Sequence, residues 1–239
     1  MTDVVNRLGI KIFADGADLA DIAKVADDPR IAGFTTNPTL MRKAGVDDYP
    51  SFIKELVATI TDRPISFEVT SDDFAEMERQ ALDLHGFGDN VVVKIPVTDT
   101  AGTSSAPLMR RLATAGVSIN ATALMTLDQV RVTADALADG PPSVISVFAG
   151  RIADAGVDPI PLMAEAVALL EPYPRLELLW ASPREVLNVL QADQVGCHII
   201  TLTPDLLAKL PLLGRDLGQF SLETVQMFRD DAVAAGYDF

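Results

Sequence analysis

Residues 91–97, Val-Val-Val-Lys-Ile-Pro-Val, decide how this chain is read. β-Branched residues dominate the stretch, and side chains in a strand alternate between two faces. Val91, Val93 and Ile95 share one face, while Val92, Lys94 and Pro96 share the other. Comparable runs flank it at Ile65–Val69, Val117–Ala121 and Ser143–Phe148, so that four successive runs open at intervals of 26 residues. Ile10–Ala14, Ile31–Thr35, Leu176–Ala181 and His198–Leu202 bring the total to eight. Between the runs, apolar residues recur at three- and four-residue steps, as a helix face requires. The stretches are Asp18–Ala26, Tyr49–Ile60, Asp73–Leu84, Thr126–Leu137, Pro159–Leu170 and Pro183–Leu190. Helix-start chemistry stands at Asp158-Pro159, Ser182-Pro183 and Thr203-Pro204.

Eight strand–helix units of this size predict an α/β chain folded as one (β/α)8 TIM barrel over residues 1–239. Phe220–Ala235 is expected as an extra C-terminal helix. A doubly wound open sheet is the rival architecture. It is weakened because the first turn reads Ala-Asp-Gly-Ala-Asp at 14–18 and lacks the G-x-G-x-x-G pattern.

Composition narrows the function. The 239 residues carry 19 Lys+Arg against 34 Asp+Glu, a formal net charge of −15. Such a surface is poorly suited to nucleic acid or to an anionic membrane. One cysteine, Cys197, and two histidines, His85 and His198, leave little material for a disulfide framework or a histidine-rich metal centre. No secretory leader and no apolar run of about 18 residues is visible, so a cytoplasmic location is the expectation.

Polar residues punctuate the apolar strands on one face. In a barrel, Glu68, Lys94, Asn120, Thr122 and Ser146 would converge from neighbouring strands, late in each, where barrel enzymes keep their chemistry. Lys94 is the sharpest signal and has two readings. It either neutralises a buried acid or snorkels to water, or it is a desolvated amine able to attack a carbonyl. Glu68 on the preceding strand is a candidate partner and proton carrier. Thr35-Thr36-Asn37-Pro38 reads first as a turn, with Asn37 stopping the strand and Pro38 opening a helix. Asp15 reads equally as a cap for the helix at Asp18–Ala26. Arg151 and Arg184 follow the sixth and seventh runs and would make a clamp for phosphate. Cys197 and His198 read as packing, and Trp180 as lining or filling the lumen.

Taken in order, KIFADGAD, GFTTNP, SFEV, VVVKIPVT, VSINAT, ISVFAGRI and WASPREV resemble the transaldolase family of class I, Schiff-base-forming aldolases. The resemblance spans nearly the whole chain. It implies an (α/β)8 barrel with the Schiff-base lysine on the fourth strand, where Lys94 lies, and no metal or organic cofactor. It further implies that Asp15 takes the proton from the substrate C4 hydroxyl. Glu68 would shuttle protons through a water also held by Thr122. Asn37, Asn120 and Ser146 would hold sugar hydroxyls, with Thr35 supporting the turn, and Arg151, Ser182 and Arg184 would grip the terminal phosphate. Relatives acting as fructose 6-phosphate aldolases carry Gln in place of Glu68 and Tyr in place of Phe148. Glu and Phe are the transaldolase-like choices. Gly16 departs from relatives that carry Thr there.

The implied reaction moves a dihydroxyacetone unit from a ketose phosphate, sedoheptulose 7-phosphate or fructose 6-phosphate, to an aldose phosphate. The alternatives are a fructose 6-phosphate aldolase-like enzyme, a transaldolase specialised for another sugar, and a catalytically silent barrel that binds sugar phosphate. The C-terminal segment GQFSLETVQMF is amphipathic. It is either a homo-oligomer contact, as compact relatives use it, or a helix packed on its own barrel. Lys94, Arg151 and Arg184 together predict a small positive mouth on a negative body.

Overall fold

The computed structural model describes residues 4–237, and eight parallel strands close into a barrel in sequence order. They are β1 Lys11–Asp15, β2 Ile31–Thr35, β3 Ile65–Glu68, β4 Val91–Pro96, β5 Ile119–Leu124, β6 Ser143–Val147, β7 Leu176–Trp180 and β8 Ile199–Leu202. β1 pairs with both β2 and β8, which leaves no edge. The predicted (β/α)8 barrel is therefore the fold, and the open sheet is excluded.

The helices are α1 Leu19–Ala26, α2 Pro38–Lys43, α3 Tyr49–Thr59, α4 Phe74–His85, α5 Ala106–Thr114, α6 Leu127–Leu137, α7 Ala149–Asp154, α8 Pro159–Leu170, α9 Leu187–Gln194, α10 Pro204–Leu207 and α11 Leu217–Ala234. Side-chain caps explain where several begin. Asp18, Asn37, Asp48, Asp73, Thr126 and Asp158 each accept a backbone N–H of the first turn. The first of these corrects Asp15, which ends β1 and caps nothing; Asp18 performs that role.

Most boundaries shift by one to three residues, as at α11, which opens at Leu217 instead of Phe220, and two shifts have a visible cause. β5 starts at Ile119, two residues late, because Gly116 takes a left-handed conformation (φ 89) and the Val117 amide is spent on the Leu112 carbonyl. The even 26-residue spacing is broken there. The Ser182-Pro183 helix start is wrong as well. Ser182 has φ 56, and α9 opens at Leu187 after the Arg184 and Glu185 amides both bond the Asn188 side chain.

The hydrophobic core has two parts. Outward-facing strand residues pack against the helices, and fully buried Trp180 belongs to this layer, not to the lumen. The lumen holds a smaller cluster of Phe13, Val144, Leu179, Ala181 and Ile199, with Ala32 and Phe148 against it. Gly33 makes room for this plug, since a Cβ there would lie 2.6 Å from the Phe13 ring. The chemistry-bearing residues sit above it.

Helix α11 was expected either to pack on its own barrel or to contact another copy. Among its described residues none is buried, and Leu217, Leu222, Val225 and Phe228 face solvent. Packing on its own barrel is thus contradicted. No helix among the described residues is long and apolar enough to cross a membrane.

Candidate active site

Lys94 is the fourth residue of β4 and points into the lumen, only 7 % exposed. Its register partners are Glu68 on β3 and Asn120 on β5. Lys94 Nζ lies 3.0 Å from Glu68 Oε2 and donates to the Thr36 carbonyl at 2.6 Å. A buried ammonium survives only when paired and hydrogen-bonded, and these two contacts meet that need. The geometry shows Lys94 paired with a partly buried carboxylate, with its nitrogen in the lumen.

Asp15 ends β1 and faces the same space. Thr35 Oγ1 donates to its Oδ1 at 2.8 Å, and Asn37 Nδ2 lies 3.5 Å from its Oδ2. Burial pushes the Asp15 carboxyl above the usual aspartate range. The Lys94 charge and the Thr35 and Asn37 hydrogen bonds offset part of that rise. Thr35 Oγ1 also lies 2.6 Å from Thr201 Oγ1 of β8, which locks the hydroxyl toward Asp15. Asn37 does two things at once: its side chain caps α2 through Leu40 N and reaches Asp15. The turn reading of residues 35–38 holds, and Asn37 in addition reaches the Asp15 carboxylate.

Asn120 and Ser146 form a lower tier. Asn120 Nδ2 donates to Ser66 Oγ at 3.1 Å, and Ser146 Oγ donates to Asn120 Oδ1 at 2.6 Å. Asn120 is the second residue of β5, so it does not sit late in its strand as expected. The chain of bonds orders the floor beneath Lys94. Thr122 is buried two residues further along, at a bulge where Ala123 adopts φ 66. Ala123 and Ser182 are the non-glycine residues of positive φ among the described residues, and both lie at the C-terminal end of the barrel. Backbone strain of this kind concentrates where a side chain must be aimed.

The phosphate-clamp candidates gather on one side of the mouth. Gly150 in α7 fits directly against the loop after β7: a Cβ there would be 1.5 Å from the Ser182 carbonyl oxygen and 3.3 Å from Arg184 Nε. Arg151, Ser182 and Arg184 are thereby brought together. Arg184 is not free, however. Its Nε donates to Asp154 Oδ1 at 3.1 Å and its Nη2 bonds Asp154 Oδ2. Arg151 sits with its guanidinium carbon 5.7 Å from the Phe148 ring centre. The positive mouth needs correcting accordingly. Lys94 and Arg184 are matched by carboxylates, which leaves Arg151 as the cation of the three outside a described ion pair.

Sequence reasoning missed Thr36, Ser66, Thr201 and Asp154. Alternation sets Ser66 on the face of Glu68 without marking it as a site residue, and it could have found Thr201 beside Ile199. Nothing in the sequence marks Thr36, which acts through its backbone carbonyl. Cys197 and His198 are structural, as expected. Burial pushes the Cys197 thiol up to about 12, and His198 Nδ1 accepts the Leu178 amide at 2.9 Å. No group of three or more His, Cys, Asp or Glu among the described residues could hold a metal ion.

These features define a (β/α)8 barrel with a paired lysine–glutamate and a hydrogen-bonded aspartate at the C-terminal end of its strands. Comparison with known proteins takes the assignment further. Residues 12–238 match the family model described as Transaldolase/Fructose-6-phosphate aldolase. The chain belongs to that family of enzymes. A protein named "Probable transaldolase" from Dehalococcoides mccartyi is 33% identical over 215 residues, covering 88% of this chain and 96% of its own. One of the same name from Nitrosopumilus maritimus is 34% identical, covering 84% and 87%. Among solved structures, KGPDC from Streptococcus mutans superposes with TM-score 0.54 at 12% identity, covering 82% of this chain and 88% of that one. That likeness concerns the fold alone.

Proposed function

We propose that the protein is a transaldolase, which moves a dihydroxyacetone unit from a ketose phosphate to an aldose phosphate through a Schiff base on Lys94. The observation that carries this reading is the buried Lys94 ammonium held between Glu68 Oε2 at 3.0 Å and the Thr36 carbonyl at 2.6 Å, with Asp15 facing the same space. Glu68 is placed to accept the ammonium proton and release a nucleophilic amine. The amine adds to the ketose carbonyl carbon, and the resulting carbinolamine loses water to become an iminium ion. Asp15 accepts the C4 hydroxyl proton as the C3–C4 bond breaks, and the bonding electrons pass to the iminium nitrogen. An aldose phosphate leaves and a three-carbon enamine remains on Lys94. An incoming aldehyde then takes the electron pair, and the steps reverse.

Glu68 and Phe148, where aldolase relatives carry Gln and Tyr, favour transfer over release of free dihydroxyacetone. A phenyl ring brings no hydroxyl or attached water to the enamine. Asn37, Asn120, Thr122 and Ser146 are the proposed contacts for sugar hydroxyls and water. Arg151, Ser182 and Arg184 are those for phosphate, with Arg184 oriented by Asp154. In assembly, the apolar face of α11 is proposed to meet a second copy of this chain, since none of the helix's described residues is fully buried against its own barrel.

The test is incubation with fructose 6-phosphate followed by borohydride reduction. A three-carbon adduct is expected on the peptide containing Lys94, and none in Lys94→Arg, which keeps its fold. An unmodified Lys94 in wild-type protein saturated with sugar would reject the Schiff base. Added erythrose 4-phosphate should be converted to the transfer product, whereas accumulation of free dihydroxyacetone would favour the aldolase alternative.

A further inference from the structure

The backbone ladder between β2 and β3 stops one rung early, at the place where Lys94 is held. Parallel strands exchange evenly spaced, slanted bonds. Here Phe34 N–H donates to the Pro64 carbonyl at 2.9 Å and Thr36 N–H to the Ser66 carbonyl at 3.1 Å. The next rung in that series joins the Glu68 amide to the Thr36 carbonyl, and neither group makes it. The Thr36 carbonyl accepts Lys94 Nζ, and the Glu68 N–H donates to Tyr49 Oη at 3.0 Å. The Tyr49 hydroxyl in turn donates to the Glu68 carbonyl at 3.0 Å. A phenol can do both, because its oxygen accepts while its proton donates.

Tyr49 is the first residue of α3, and its ring stands edge-on to Phe67 with centroids 6.4 Å apart. Burial pushes its phenol well above the ordinary value, so the donated proton stays in place. The pairing is specific to this corner, since Tyr49 reaches the main chain of the residue whose side chain meets Lys94.

We propose that Tyr49 is a positioning residue of the site: standing in for the missing rung, its hydroxyl leaves the Thr36 carbonyl available to Lys94 and fixes the backbone from which Glu68 meets the same amine. One group outside the lumen thus sets both partners of Nζ. Without the hydroxyl the Glu68 N–H is left unpartnered, and the nearest remedy is to recapture the Thr36 carbonyl and complete the ladder. Lys94 then loses one of its two anchors. The kinetic half of this inference rests on the proposed Schiff-base role of Lys94; the structural half does not.

The experiment compares wild-type protein with Tyr49→Phe, which keeps the ring on Phe67 and removes one oxygen. Crystal structures of both are expected to show the Glu68 amide bonded to the Thr36 carbonyl in the variant, with Lys94 Nζ displaced from it. Turnover number and the rate of borohydride trapping at Lys94 should fall together by about ten-fold or more, the loss typical of one hydrogen bond to a charged group, while KM stays within about two-fold. Phe52→Leu is the control, because Phe52 packs edge-on to the same Phe67 ring at 6.4 Å and carries no hydroxyl. It should lower thermal stability and leave the trapping rate unchanged. Retention of the Thr36–Lys94 contact in Tyr49→Phe, or wild-type trapping and turnover in that variant, overturns the inference. So does an equal trapping loss in Phe52→Leu. Failure of the wild-type protein itself to trap an adduct rejects the Schiff-base reading, whereas the Thr36 contact in the variant still decides the positioning.

Discussion

Asp15 is held where its charged form costs stability. Its carboxyl is raised by burial, so the folded chain keeps a proton there at a pH where the unfolded chain has lost it. Stability therefore falls as pH rises from the ordinary aspartate value of about 3.9 toward the folded value, and the loss is complete above that. Asp15→Asn keeps an acceptor for the Thr35 hydroxyl and removes the charge. The variant should melt higher at neutral pH, by about 2–4 °C for each kcal/mol relieved, and should lose C3–C4 cleavage. A melting scan with a turnover assay checks both, and a lower melting temperature would contradict the burial argument. In the wild type, the acid limb of the rate profile should lie above the range of a free aspartate. At this scale the sequence was legible wherever a charge interrupts an apolar strand, as at Lys94, Glu68 and Asp15. Thr36 was not legible, because a carbonyl has no letter. Asp154 was not legible either, because an acid three residues after Arg151 looks like any surface helix position.

At the scale of elements, the side of the mouth proposed to hold phosphate depends on α7 lying flush against the loop after β7. Gly150 permits that contact and no larger residue does, since its Cβ would overlap a backbone oxygen. Gly150→Ala should cost about 1–3 kcal/mol through forced displacement of the Ser182–Arg184 segment. It should also raise KM for phosphorylated sugars more than for unphosphorylated ones. Equal effects on the two classes would mean that the loop does not serve the phosphate. The strand order and most helices were readable because period-two runs and capping residues agree along the chain, as at Asp158-Pro159, which opens α8. Ser182-Pro183 carries the same letters and fails. There the Asn188 side chain takes up the Arg184 and Glu185 amides and delays the helix by four residues. A local signature cannot report a competitor several positions away.

For the whole molecule, the net charge of −15 rules out long-range attraction of anionic sugars, and the mouth supplies little local excess. Capture of the proposed sugar phosphates would then fall to short-range hydrogen bonds and to Arg151. The exposed face of α11 is the other global feature. Phe228 is 63 % exposed and Val225 61 %, so replacing both with Glu should leave the barrel folded and, on the proposed pairing of two copies through α11, yield single chains in sedimentation where the wild type sediments as an oligomer. An unchanged mass would reject α11 as the contact. The apolar plug of Phe13, Val144, Leu179 and Ile199 has a consequence for the order of events. With the lumen stopped beneath Lys94, the barrel is a cul-de-sac, so in the proposed transfer the leaving aldose would back out through the opening by which the acceptor enters. On that proposal the two sugars would take turns, and between them the three-carbon fragment would wait alone. A dead-end vestibule of this kind would make the proposed exchange a relay with a single baton, in which surplus acceptor crowds the doorway against the next donor.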